Sequence, residues 1–158
     1  TALYDVILKG IASLDRQQGR RAVVIFTDGN DQSSRNSLQS AQRSVEASDA
    51  ALFMVVLGRP AEVDKGRTIV EQLANVSGGR AFFPYLVDDL ASSFAAIGDE
   101  LRNQYSLAYV PTGRAPDGKF HKISIRAIPK DMRVQARNGY YAAQPGAAPP
   151  VTFSAPPR

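Results

Sequence analysis

The 158-residue chain has no cysteine, so no disulfide, thiolate metal ligand or cysteine nucleophile is available, and the sequence carries no mark of its redox compartment. Its single histidine, His121, argues against histidine-built metal sites and against a serine–histidine–aspartate triad. No run approaches the ~20 apolar residues of a membrane-spanning helix. No signal-peptide pattern opens the chain, an absence without weight where upstream residues are lacking. What is present suits one domain with a real core: 44% hydrophobic and 22% charged residues are ordinary for a globular protein.

Apolar periodicity divides most of the chain into alternating helices and strands. Leu3, Ile7, Ile11 and Leu14, with Val6 on the same side, mark a first helix that Gly19 would stop. Ala22-Val23-Val24-Ile25-Phe26 reads as a strand buried on both faces. Residues 33–36 offer caps for a helix carrying Leu38, Ala41 and Val45 inward. The run 51–57 is a second buried strand, closed by Gly58 and Pro60. Asp64 is a candidate cap for a helix with Ile69, Val70, Leu73 and Val76 on its apolar face, ended by Ser77-Gly78-Gly79. Residues 80–83 read as a third strand, at an edge or strand end because Pro84 follows. Asp88 then caps a helix with Leu90, Phe94, Ile97 and Leu101 inward. This alternation implies a parallel sheet with right-handed crossovers.

The pattern changes after Gln104. Residues 105–110, 120–128 and 132–137 read as three strands with short connections, hence an antiparallel extension. In the middle strand His121, Ile123, Ile125 and Ala127 share one face, and Lys122, Ser124 and Arg126 the other. Residues from 144 onward are rich in Pro and Ala without periodicity, as in a disordered tail.

The strand at 22–27 stops on Thr27-Asp28-Gly29, which puts a carboxylate at its C-terminal lip, where open α/β sheets bind ligands. Before it, Thr1-Ala2-Leu3-Tyr4-Asp5 opens the first helix. After it come Tyr-x-Leu-x-Tyr-x-Pro at 105–111, Asp117-Gly118-Lys119-Phe120, the alternating basic strand and Arg137-Asn138-Gly139-Tyr140-Tyr141-Ala142. Taken in this order, the chain resembles the von Willebrand factor A domain in its bacterial VWFA-related form, over residues 1–142. The resemblance implies a Rossmann-like parallel sheet flanked by helices over 1–104, a β extension over 105–142 and a tail over 143–158. It also implies a metal-ion-dependent adhesion site, with Thr1 and Asp28 at the positions of two of its ligands. The family's first element, Asp-x-Ser-x-Ser, has no match; Asp31-Gln32-Ser33-Ser34 comes nearest, with the wrong spacing. The simplest account is a chain whose first strand and helix lie upstream of Thr1.

Each candidate residue has a plainer reading beside the functional one. Mg²⁺ seeks roughly six oxygens in a tight octahedron, and Asp28 suits such a site; it also suits a turn whose amides it accepts. Thr1 is a ligand, a helix N-cap, or an N-terminal nucleophile with its own amine as base. The helix that follows it speaks against the nucleophile, so a binding module is expected rather than an enzyme. Asp5 fits the first turn of its helix and Asp31 a loop cap. Two oxygens from Thr1 and Asp28 would hold Mg²⁺ or Mn²⁺ weakly or not at all in this chain. In the family the open coordination position takes an acidic side chain from a protein partner, and by the same analogy the setting is periplasmic or secreted.

Seven basic residues against two acidic ones between Gly113 and Gly139 give a local net charge of +5. Without interleaved aromatic residues for base stacking, this reads as a solvated, edge-protecting face rather than a nucleic-acid surface. Tyr105, Tyr109, Tyr140 and Tyr141 read as packing residues. Asp28 is expected on the same rim as Thr1, at the end of a strand central in the family fold. With no upstream neighbour, that strand should lie at an edge beside 51–57 and invite pairing with another chain.

Overall fold

Two six-residue apolar runs set the sheet. In the computed structural model, which describes residues 1–105, 107–109, 117–129, 132 and 134–142, they form β1 (Ala22–Thr27) and β2 (Ala51–Val56), paired in parallel from Ala22↔Ala51 to Thr27↔Val56. A two-residue β3 (Ala81–Phe82) pairs in parallel with the other side of β2, giving the order β1-β2-β3. All six residues of β2 are buried, as the continuous apolar run requires of a middle strand. Among the described residues the 22–26 strand lies at an edge with 51–57 beside it, as expected.

Four helices alternate with the strands: α1 (Leu3–Ala12), α2 (Leu38–Ala47), α3 (Pro60–Val76) and α4 (Val87–Arg102). The first three cover one face. Leu3, Ile7 and Ile11 from α1, Ala41 and Val45 from α2, and Val63, Val70 and Leu73 from α3 close over Ile25, Leu52, Met54 and Val56. The other face is smaller: Ile97 of α4 packs with Ala51, Phe53, Val55 and Phe82, flanked by Leu90 and Leu101. Strand and helix thus alternate over one sheet, an α/β fold with a Rossmann-like parallel arrangement.

Because α4 lies over β2 and β3, the strand expected to be buried on both faces is not. Val24 is 38% exposed and Phe26 48%, and on that face Phe26 meets Phe94 of α4 at a 5.4 Å ring separation. Phe94 was expected inward and is itself 48% exposed, while Ser93 takes the buried position. The small serine lets the helix approach the sheet, and its hydroxyl is satisfied by donating to the Asp89 carbonyl at 2.8 Å. Val6 also turns out of the α1 core face, at 46% exposure.

Element ends differ more from expectation. The first helix stops at Ala12, and Gly19 instead makes a positive-φ turn (φ 88°) beyond it. Ser37, not residues 33–36, caps α2 by accepting from the Ser40 amide. Pro60 opens α3 instead of closing the preceding strand, since proline fits the first turn, where its missing N–H has no intrahelical partner; Asp64 lies inside the helix. The cap residue of α4 is Leu86, and Asp89 serves its first turn by accepting from the Tyr85 and Leu86 amides.

The extension contains β4 (Phe120–Lys122) and β5 (Gly139–Tyr141), paired antiparallel from Phe120↔Tyr141 to Lys122↔Gly139. The middle strand is therefore shorter than the expected 120–128; His121, Ile123 and Ala127 of its expected inner face are half-buried, but Ile125 is exposed like Lys122, Ser124 and Arg126. The expected strands at 105–110 and 132–137 lie in part outside the described residues, and their described residues are not in a strand. The loop expected at 111–118 lies mostly outside them, and the tail from 144 wholly so.

The hairpin is fastened to the main body by side chains. Arg137 donates to Asp49 Oδ1 (2.8 Å) and to the Glu46 and Ser48 carbonyls (2.8 and 3.1 Å) at the C-terminal end of α2. There a cation also meets the negative end of the helix dipole. Gln135 donates to the Gly79 carbonyl, the Asn138 amide to the Val76 carbonyl, and the Tyr141 hydroxyl to Glu46.

Candidate functional site

Asp28 follows the last residue of β1, at the rim where the C-terminal ends of all three parallel strands open. The turn that carries it needs two glycines. Gly29 has φ 81°, a conformation that costs glycine little. A β-carbon at Gly66 of α3 would overlap the Gly29 carbonyl, so α3 packs directly on the turn's backbone. Asn30 ties the same turn sideways, its amide side chain donating to the Asp28 carbonyl and to the Glu62 carbonyl, both at 3.3 Å.

The structure brings Thr1 and Asp28 together. The Thr1 hydroxyl donates to Asp28 Oδ1 at 2.9 Å, and the Asn30 amide donates to the same oxygen at 3.2 Å. Oδ2 takes no part in either bond. Thr1 does not cap the helix: Ala2 holds that position without a side-chain cap bond. Burial pushes the Asp28 carboxyl up, but hydrogen bonds led by those from the Asn30 amide and the Thr1 hydroxyl, with the nearby amino-terminal charge, leave the group below the usual carboxylate range.

Asp31 and Asp5 belong to a reciprocal lacing between the 31–36 loop and the start of α1. Asp31 accepts from the Tyr4 amide (3.3 Å) and the Ser34 hydroxyl (2.5 Å), so it serves the helix start as well as its own loop. The Ser34 hydroxyl accepts from the Asp5 amide (3.1 Å). Asp5 accepts from the Arg35 amide (3.0 Å), the Asn36 amide (3.1 Å) and the Asn36 side chain (2.8 Å). The Thr1 carbonyl accepts from the Gln32 and Ser33 amides. The Asp5 carboxyl is lowered, first by the Arg35 amide and then by Asn36. For Asp31, burial again raises the pKa, and the Ser34 hydroxyl and Tyr4 amide more than offset it.

Sequence reasoning missed Ser34, Asn36 and Asn30 as members of this rim. A signal existed for one of them, since Asp31 and Ser34 are three apart, the spacing of a side-chain turn closure. The partners of Asn36 and Asn30 are 31 and 32 residues away in sequence, which no local pattern reveals.

Few oxygens at the rim remain free for an octahedral ion. Thr1 keeps lone pairs while donating its proton, and Asp28 keeps Oδ2, but the Thr27 hydroxyl accepts from the Gly29 amide at 3.0 Å. Asp5 and Asp31 are held by amides and hydroxyls of the lacing. Among the described residues no three His, Cys, Asp or Glu side chains converge. The residues present therefore fit part of a magnesium shell and not the whole of it. Against protein-family models, characterised proteins and solved structures alike, the chain finds no match.

Proposed function

We propose that this chain is a von Willebrand factor A-like protein-recognition module whose working surface is the rim around Thr1 and Asp28. The observation that carries the reading is the 2.9 Å bond from the Thr1 hydroxyl to Asp28 Oδ1 at the C-terminal lip of a parallel strand. It joins two residues 27 apart in sequence at the place where α/β sheets bind ligands. The rim is rigid for its task, since Gly66, Asn30 and the lacing to α1 fix the turn from three sides. Such a surface suits recognition of a protein ligand that presents a carboxylate, and the resemblance supports Mg²⁺ or Mn²⁺ as the bridging group. When bound, the ion supplies the positive charge that a partner's carboxylate needs. Thr1 and Asp28 are the two residues of this chain that would face it. A periplasmic or secreted setting follows from the same analogy.

A second reading, a metal-free interaction scaffold, is favoured by the direct Thr1–Asp28 bond, which satisfies the pair without an ion. Calorimetric titration of the protein with Mg²⁺ and with Mn²⁺ separates the two. The metal-dependent reading expects binding heat that disappears in Asp28→Ala and weakens in Thr1→Val. No heat in the unaltered chain, or heat indifferent to both changes, supports the scaffold.

A further inference from the structure

A recess lies at the opposite end of the sheet from the Asp28 rim, where α2 and α3 finish and the hairpin docks. It has a volume of about 340 Å³ and is lined by Glu46, Val76, Phe120, Lys122, Ile123 and Asn138. Ligand sites run from roughly 300 to 1,000 Å³, so this one suits a single small molecule. Its floor is apolar, made by the half-buried Val76, Phe120 and Ile123. Phe120 packs edge-on against Tyr141 (5.2 Å between ring centroids), and its ring takes the space that a side chain at Gly139 would need.

Two opposite charges stand at the ends of this floor. Glu46 is fixed in place, with Oε1 accepting from the Gln42 side chain (2.9 Å) and Oε2 from the Tyr141 hydroxyl (3.0 Å). Each oxygen keeps a lone pair for a further donor. Arg137, the cation beside Glu46, is occupied by Asp49 and by the Glu46 and Ser48 carbonyls. Lys122 forms no ion pair among the described residues, although Glu46 lines the same recess. The hairpin register separates the two. Tyr141, which holds Glu46, pairs with Phe120, whereas Lys122 pairs with Gly139, two residues further along the ladder. That step is roughly 6.5–7 Å. Asn138, next to Gly139, adds a side-chain amide at the lysine end.

We infer that this recess binds a free α-amino acid with an apolar side chain. The ligand's ammonium donates to Glu46, its carboxylate accepts from Lys122 and Asn138, and its side chain lies on Val76, Phe120 and Ile123. A lone cation or a lone anion leaves one of the two protein charges unmatched, whereas a zwitterion serves both. The ladder step leaves room between them for the short span from ammonium to carboxylate. The apolar floor then selects for the side chain, because covering it removes hydrocarbon from water on both partners.

The test titrates the whole chain with L-leucine and follows amide proton–nitrogen spectra. Saturable shifts at millimolar leucine or below should centre on Lys122, Ile123 and Asn138, with residues 28–31 unmoved. Three analogues each lack one part: N-acetyl-L-leucine the ammonium, L-leucinamide the carboxylate and glycine the apolar body. Each should bind at least about tenfold more weakly than leucine. Lys122→Gln should bind leucine and leucinamide alike. Glu46→Gln, which keeps an acceptor for the Tyr141 hydroxyl, should bind leucine and N-acetyl-leucine alike. Should Glu46→Gln release the hairpin, Lys122→Gln decides, since the exposed Lys122 supports no ion pair among the described residues. No saturable shift, or shifts centred elsewhere, overturns the inference. So does any of the three analogues binding as well as leucine, or a Lys122→Gln variant that still favours leucine over leucinamide.

Discussion

Three aspartates around the rim carry the local chemistry, and their environments differ in kind. Asp28 faces outward with one oxygen bonded to Thr1 and Asn30, whereas Asp5 and Asp31 hold backbone amides of a neighbouring element. All three titrate below the ordinary carboxylate value in the folded chain. A depressed folded pKa contributes stability that is complete above the unfolded value, about 3.9, and is lost as the pH falls through the folded value. The melting temperature should therefore be level between pH 7 and pH 5 and fall below about pH 4. Asp5→Asn, which keeps the shape and removes the charge, should flatten that decline. Circular dichroism melts across the range check this, and a fall that begins between pH 7 and pH 5 would contradict it.

Among the elements, the hairpin of β4 and β5 depends most on single side chains. The fork of Arg137 reaches the end of α2 and Asp49 at once, and Asp49 is shared with Arg21 from the start of β1. Arg137→Ala leaves the last carbonyls of α2 without that partner and should loosen docking by about 1.5–3 kcal/mol. Hydrogen exchange at the Asn138 amide should then accelerate roughly ten- to a hundredfold, with β2 amides unchanged. Arg137→Lys should not restore protection, because one ammonium cannot span the fork. Equal acceleration throughout the sheet would show that Arg137 supports the whole fold instead. The strands and the helix core faces were legible because burial leaves a periodic mark: Leu3, Ile7, Ile11, Ala41, Val45 and the 51–56 run sit inward as their spacing requires. Element ends were not legible. Pro60 reads equally as a strand stop and a helix start, and the inward turn of Ser93 in place of Phe94 depends on which strands α4 crosses. The hairpin's anchors join residues 56 to 95 apart in sequence, and no local pattern encodes them.

At the scale of the whole molecule, the sheet is asymmetric among the described residues: β2 is covered on both faces, β3 is short, and β1 ends at the rim. At the rim, the place of Asp28 was legible because an apolar strand ending in Thr-Asp-Gly fixes the carboxylate at the lip, whereas Thr1 beside it was expected only from the family resemblance. The sequence did not reveal that Asp5 and Asp31 are held by the lacing, which narrows the oxygen set to the Thr1–Asp28 pair. The central claim is that this pair is where the molecule takes its ligand. Paramagnetic broadening by Mn²⁺ in amide proton–nitrogen spectra tests it most directly, since the method locates even weak binding. At substoichiometric Mn²⁺ the amides of residues 28–31 should broaden first, and Asp28→Ala should abolish the effect. Broadening centred elsewhere, or unchanged in Asp28→Ala, would contradict the claim.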